Sequence, residues 1–226
     1  MTMMLLVLVA CTPGPEGVAP PLTRLENTAV EILLPEPRGP KVTLQEVLQR
    51  RRSVRQYSAD PLTLEELGLL LWACQGITDP RGFRTAPSAG ALYPLEVYLV
   101  AGRVRELEPG VYHYVPEGHS LRLVAKGDVR DELCRAALGQ KWVAEGAVVV
   151  MIACEYQRTT ARYGERGIRY VHMEAGHAAQ NLLLQAVALG LGAVPVGAFD
   201  DQRTKEVVGL PEEQEVLYLI PVGRIP

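Results

Sequence analysis

Apolar and polar residues alternate along this chain with two periods, and the changes between them mark its elements. Val42, Leu44, Val47 and Leu48 share one side of a helix that Thr43 and Glu46 open as a capping box. A second helix spans about 63–75, opened by Thr63 and Glu66 after Asp60-Pro61. The run 95–100 reads as a buried strand, and 111–115 and 121–124 as a pair around the turn Pro116-Glu117-Gly118. Asp128 is placed to cap a short helix through Leu138, and the valine-rich run 147–153 has the uniform apolarity of a central strand. Residues 170–189 predict a long, nearly uncharged helix that stops at Gly190. A helix apolar on most sides is expected to be buried all round, in a large core or against a partner subunit. Two more strands are predicted at 193–198 and 215–222. One sheet covered by helices follows, the α+β class, with no internal repeat.

Composition narrows the picture modestly. A chain of 226 residues, 48% hydrophobic and 22% charged, buries one sizeable core, so residues 41–226 are read as a single domain behind an arm, 1–40. The arm is proline-rich and is expected to lie extended over the surface. Its apolar run Leu5–Ala10 is too short to span a bilayer, but Leu8-Val9-Ala10-Cys11 has the form of a bacterial lipobox. Met1-Thr2-Met3-Met4 lacks the basic residues of a secretory leader. A lipid anchor at Cys11 and a plain cytoplasmic arm therefore both stand as readings. A net charge of −3 with dispersed basic residues argues against a nucleic-acid partner. Cys74, Cys134 and Cys154 show no C-x-x-C spacing and read as buried thiols.

Four segments carry candidate chemistry. Arg51-Arg52-Ser53-Val54-Arg55 follows the first helix and puts three guanidiniums and a hydroxyl within five residues. Guanidinium forks match phosphate oxygens and keep their charge when half buried, yet the same run would also serve as a basic helix end complementing the macrodipole. In Ala86-Pro87-Ser88-Ala89-Gly90-Ala91-Leu92-Tyr93-Pro94, small residues let backbone approach a ligand, with Phe83 and Tyr93 available to flank a planar ring. A tight turn into a strand is the simpler account of it. Gly197-Ala198-Phe199-Asp200-Asp201 gathers backbone amides where a strand enters a helix, and Pro221-Val222-Gly223-Arg224 brings a further arginine. Glu174 and His177 have the spacing of a di-iron ligand pair, but no second Glu-x-x-His faces them, so no metal is assigned. They are read instead as a buried, hydrogen-bonded pair, and His113 and His119 as exposed. Ser88 lies outside any G-x-S-x-G elbow, and no G-x-G-x-x-G follows a strand.

R-R-S-V-R, P-S-A-G-A-L-Y-P-L-E-V-Y, G-V-Y-H-Y, R-Y-G-E-R-G-I-R-Y, E-A-G-H-A-A-Q-N-L-L-L and P-V-G-R occur in that order between about 43 and 224. Together they resemble the nitroreductase superfamily of flavin-dependent oxidoreductases, and within it the SagB/ThcOx branch that oxidises azoline rings. The resemblance implies a three-layer α/β/α sandwich built on a mixed, mainly antiparallel sheet. It implies a homodimer with FMN as cofactor, NAD(P)H as a donor and a small molecule as substrate.

Position by position, Arg51, Arg52 and Ser53 match the residues that hold the FMN phosphate and ribityl chain. Arg55 matches the cation near the flavin pyrimidine edge. Pro87, Ser88, Ala89, Gly90 and Leu92 match the segment that reaches the flavin of the other subunit. Gly197 and Ala198 match the strand end along the ring, and Arg224 matches a phosphate contact. In azoline-oxidising relatives a Lys-Tyr pair serves proton abstraction; the matching positions here are Arg162 and Tyr163, the catalytic candidates. Arginine in place of lysine makes azoline oxidation the less favoured activity, because a guanidinium is a poor general base.

Overall fold

The structure is a computed structural model that describes residues 31–226, so the lipobox expectation at Cys11 lies outside the described residues. Both anticipated capping boxes form. Thr43 opens α1 (Leu44–Arg50) and Thr63 opens α2 (Leu64–Gln75), each hydroxyl accepting the N–H three residues on while the glutamate there accepts the threonine N–H.

Seven strands make one sheet in the order β1-β4-β3-β2-β5-β7-β6. They are β1 (Glu31–Leu33), β2 (Leu95–Ala101), β3 (Gly110–Val115), β4 (Ser120–Lys126), β5 (Val148–Cys154), β6 (Leu191–Ala193) and β7 (Glu215–Arg224). Every ladder is antiparallel, and the parallel component is confined to isolated bridges such as Ser53 with Ala193. β5 is buried at all its residues, in keeping with its valine run.

The remaining helices are α3 (Arg130–Ala136), α4 (Trp142–Glu145), α5 (Tyr156–Tyr163), α6 (Arg166–Ala188) and α7 (Asp201–Val208). One face of the sheet, through Val97, Leu99, Val150 and Ile152, packs on Leu67 and Leu71 of α2 and on Ala175, Ala178 and Leu182 of α6. The other face, through Tyr98, Val100, Met151 and Leu219, packs on Leu133, Val143 and Val208 from α3, α4 and α7. The result is the anticipated α/β/α sandwich.

Several boundaries differ from the sequence reading for physical reasons. The strand expected at 193–198 stops at Ala193, since Pro195 has no N–H to donate; beyond it only Val196 bridges, to Leu219. α6 begins four residues before 170 and is buried along one stripe only. Val171, Glu174, Ala175, Ala178, Leu182 and Ala186 face inward at helical spacing, while Ile168 and Met173 are exposed. Val129 rather than Asp128 precedes the first turn of α3; the Asp128 carboxylate accepts from the Arg130 backbone and guanidinium. The proline-rich stretch before α1 is not wholly superficial, because β1 adds an edge strand and Leu34 is buried. Cys74 and Cys154 are buried and Cys134 is half-buried. No described helix is long and apolar enough to cross a membrane.

Candidate active site

The arginine run is held where it is by missing side chains. A Cβ on Gly192 would come within 2.6 Å of Val54, and one on Gly223 within 2.9 Å of Tyr57. Without them, the chain after α1 lies flat against the edge of the sheet. The Val54 N–H donates to Ala193 O at 3.0 Å, the Ser58 N–H donates to Arg224 O at 2.9 Å, and the Tyr57 hydroxyl donates to Val54 O at 2.7 Å.

Along this edge Arg51, Arg52 and Arg55 form no salt bridge among the described residues. Arg52 donates to Gln49 O and Arg51 O, so it does complement the helix C-terminus. Arg51 is half-buried and its guanidinium has no partner among the described residues. Arg55 lies 5.4 Å over the ring of Trp142. The neighbouring Gln140 Nε2 donates to Ala198 O at 2.7 Å, which joins this cluster to the exposed Gly197 and Ala198. A Cβ on Gly197 would meet nothing within 4 Å, so the backbone there stands open to a ligand. Arg224 is placed differently from its sequence reading. Its Nη2 donates to both carboxylate oxygens of Glu66 and its Nε to Pro61 O, so a carboxylate already balances its charge.

A second group of candidates assembles elsewhere. Pro87, Ser88, Ala89, Gly90 and Leu92 form a short turn leading into β2, and the Ser88 hydroxyl accepts the Tyr93 N–H at 2.9 Å. Gly90, Ala91 and Tyr93 have φ of 64°, 54° and 46°, positive values on either side of a right-handed Leu92 that are costly for the latter two. Arg162 and Tyr163, at the end of α5, cover this turn: a Cβ on Gly90 would lie 2.7 Å from the Tyr163 hydroxyl and 3.0 Å from Arg162 Nη1. Tyr163 packs edge-on against Tyr170, ring centroids 5.3 Å apart.

Glu174 lies behind the same turn, 2% exposed, with Oε1 unpartnered among the described residues. Burial pushes its carboxyl up to about 7, only partly offset by the Ser88 hydroxyl and the Arg84 charge. The expected Glu174–His177 pair does not form. Glu174 faces the core, whereas His177 lies at the edge of the buried stripe and is exposed. His113 and His119, expected to be exposed, are half-buried. His113 Nε2 is 2.6 Å from Glu96, and His119 bridges the Tyr114 hydroxyl and Pro35 O. Phe83 stacks under Arg81 and Tyr93 under Arg84, so neither ring is paired across a gap.

The two groups stand apart within one chain. Ser53 extends the row Ala193–Val222–Val148–Ala101, while the 87–92 turn enters the sheet at Leu95, opposite Cys154. Those rows are separated by the length of β5, about 20 Å at strand rise. Trp142 and Gln140 escape a sequence reading, since the five-residue break 137–141 and the four-residue helix α4 after it are too short to show a period. The one usable signal is the local Gly139-Gln140-Lys141-Trp142 interruption.

Family comparison agrees with this architecture. The nitroreductase family model matches residues 48–224. The chain belongs to the nitroreductase family. This nitroreductase-family chain is 50% identical over 195 residues to MJ1384 of Methanocaldococcus jannaschii, a protein named for the nitroreductases, covering 86% of this chain and 96% of that one. It is 30% identical over 158 residues to the Escherichia coli microcin B17-processing protein McbC, covering 67% of this chain and 58% of that protein. A Ralstonia eutropha crystal structure, also named for the nitroreductases, superimposes with a TM-score of 0.78 at 28% identity, covering 93% of this chain and 96% of that one. The relationship to McbC bears out the resemblance to the SagB/ThcOx branch.

Proposed function

We propose that this chain is an FMN-dependent oxidoreductase that takes a hydride from a reduced donor such as NAD(P)H and passes it to a small electrophilic acceptor in the same pocket. The observation that carries the reading is the arginine run at the edge of β6, beside open backbone at Gly197 and Ala198. Arg51 has no carboxylate partner and neither have its neighbours Arg52 and Arg55, which leaves this edge cationic, as an anionic flavin phosphate requires. Trp142 Nε1 adds a buried donor with no acceptor among the described residues. These residues fit the cofactor that family membership implies.

When bound, FMN supplies the hydride chemistry. The protein's part is to bind and orient. Arg51 and Ser53 hold the phosphate end, Gly197 and Ala198 offer backbone along the ring, and Arg55 supplies positive charge near its pyrimidine edge. The 87–92 turn serves the cofactor held by a second copy, because its own arginine run is about 20 Å away along the sheet. A homodimer follows, and the exposed Leu44 and Leu48 of α1 with Ile168 and Met173 of α6 provide apolar surface for it. At the turn, the Tyr163 hydroxyl can hold or hand on a proton at Oη, while Arg162 stays protonated and draws anionic groups in.

Azoline oxidation is the second reading, favoured by the McbC relationship. It is disfavoured by Arg162, which cannot serve as the base that lysine provides. The deciding experiment offers a quinone and a thiazoline peptide side by side, with NAD(P)H for the former and oxygen for the latter. Quinone reduction that bleaches and restores the flavin, without azole formation, is expected. Rapid azole formation that Tyr163→Phe abolishes would reverse the assignment.

A further inference from the structure

β2 and β3 part company at one end of the sheet. Their ladder runs from Ala101 with Gly110 to Tyr98 with His113 and goes no further, although β2 continues to Leu95 still paired with β5 and β3 continues to Val115 still paired with β4. A cavity of about 280 Å³ occupies the fork, walled by these splayed ends and floored by α2 and the loop after it. It shares no residue with the cofactor candidates above.

The fork is charged, and its charges are unequally satisfied. Glu96 is fully engaged, with one oxygen 2.6 Å from His113 Nε2 and the other 2.6 Å from Arg158, which also pairs with Glu155. Arg84 donates to Gln75 Oε1 at 2.9 Å and reaches only 3.6 Å from the exposed carboxylate of Glu117. The Arg122 guanidinium has no hydrogen bond or ion pair among the described residues. The decisive group is Gln75, 0% exposed, whose Nε2 has no partner among the described residues. Flipping the amide would not help, since it would set NH₂ against the Arg84 guanidinium. A buried amide donor left unmade is costly, so an acceptor oxygen belongs in this cavity.

We propose that the fork between β2 and β3 is a binding site for a small organic carboxylate, held by Gln75 Nε2 and by the Arg84 and Arg122 guanidiniums. Two neighbouring forks and an amide donor suit a planar carboxylate. Three arginines stand against two glutamates in the lining, an excess of one guanidinium that a single carboxylate offsets. Leu95, Val97 and Val115 give the carbon body an apolar wall.

The test uses the full chain as purified and sodium propionate as probe, at constant ionic strength, with inorganic phosphate as the second arm. Calorimetry should show saturable propionate binding at one per chain, tighter than phosphate, with a shift of the Gln75 side-chain amide resonance. Gln75→Glu, which keeps the acceptor for Arg84 but removes the donor, should weaken it about tenfold or more. Arg122→Ala alters only an exposed side chain and so leaves folding intact; it too should weaken binding about tenfold. Absence of saturable binding would mean that water alone fills the fork. Binding that neither substitution weakens would place the carboxylate elsewhere, and phosphate binding tighter than propionate would overturn the ligand class.

Discussion

Glu174 is the residue through which pH should act on stability. Its carboxyl is held protonated to about 7 by burial, against 4.5 for the ordinary group. Between those values the folded chain binds a proton that the unfolded chain releases, so stability is fullest below 4.5 and declines as pH rises towards 7. Glu174→Gln removes the titration. Thermal midpoints measured from pH 5 to 8 should show the variant gaining on the native chain as pH rises, and parallel curves would contradict the burial argument. The carboxylate is visible in the sequence as the one acid on an otherwise apolar helix face. Its partner is not, because His177, the neighbour that spacing suggests, sits at the solvent margin while Ser88 arrives from a distant turn. Arg224 escapes for a similar reason: its fork goes to Glu66, a helix-capping residue whose second use no local pattern reveals.

At the scale of elements, Glu66 joins the start of α2 to the end of β7. It accepts the Thr63 N–H at 2.9 Å and both contacts from Arg224. Thr63→Ala should cost about 1 kcal/mol, as loss of a threonine cap usually does. Glu66→Ala removes the reciprocal bond and also leaves Arg224 half-buried without its counter-charge, so it should cost more, about 2 kcal/mol. Denaturant midpoints of the two variants give the order directly, and equal losses would show that the arginine contact contributes nothing. Elements with strong periods and marked ends, α1, α2 and strands β2 to β5, are legible in the pattern of residues alone. Those that are not are short or polar. β1 spans Glu31–Leu33, α4 spans Trp142–Glu145, and α5 is the polar run Tyr156–Tyr163, held by close packing of Gly167 on the Thr160 backbone. Tertiary contacts rather than propensity make such elements, so local sequence is silent about them.

For the whole molecule, the sequence identifies both chemical segments but not the space between them. The arginine run and the 87–92 turn are recognisable as residue types, whereas their separation by the length of β5 depends on strand order, which periodicity does not encode. That separation is the reason for the central proposal, a flavin site completed by two copies of the chain. The most direct measurement co-expresses two differently tagged variants, Arg51→Glu, which reverses charge in the cradle, and Gly90→Asp, which forces a side chain into Arg162 and Tyr163. Each homodimer should sediment as a dimer and lack FMN. The purified heterodimer pairs one intact cradle with one intact turn and should hold a single FMN, half the native complement. A heterodimer as empty as its parents, with both still folded, would mean that each subunit builds its site alone, and the shared-site account would be wrong.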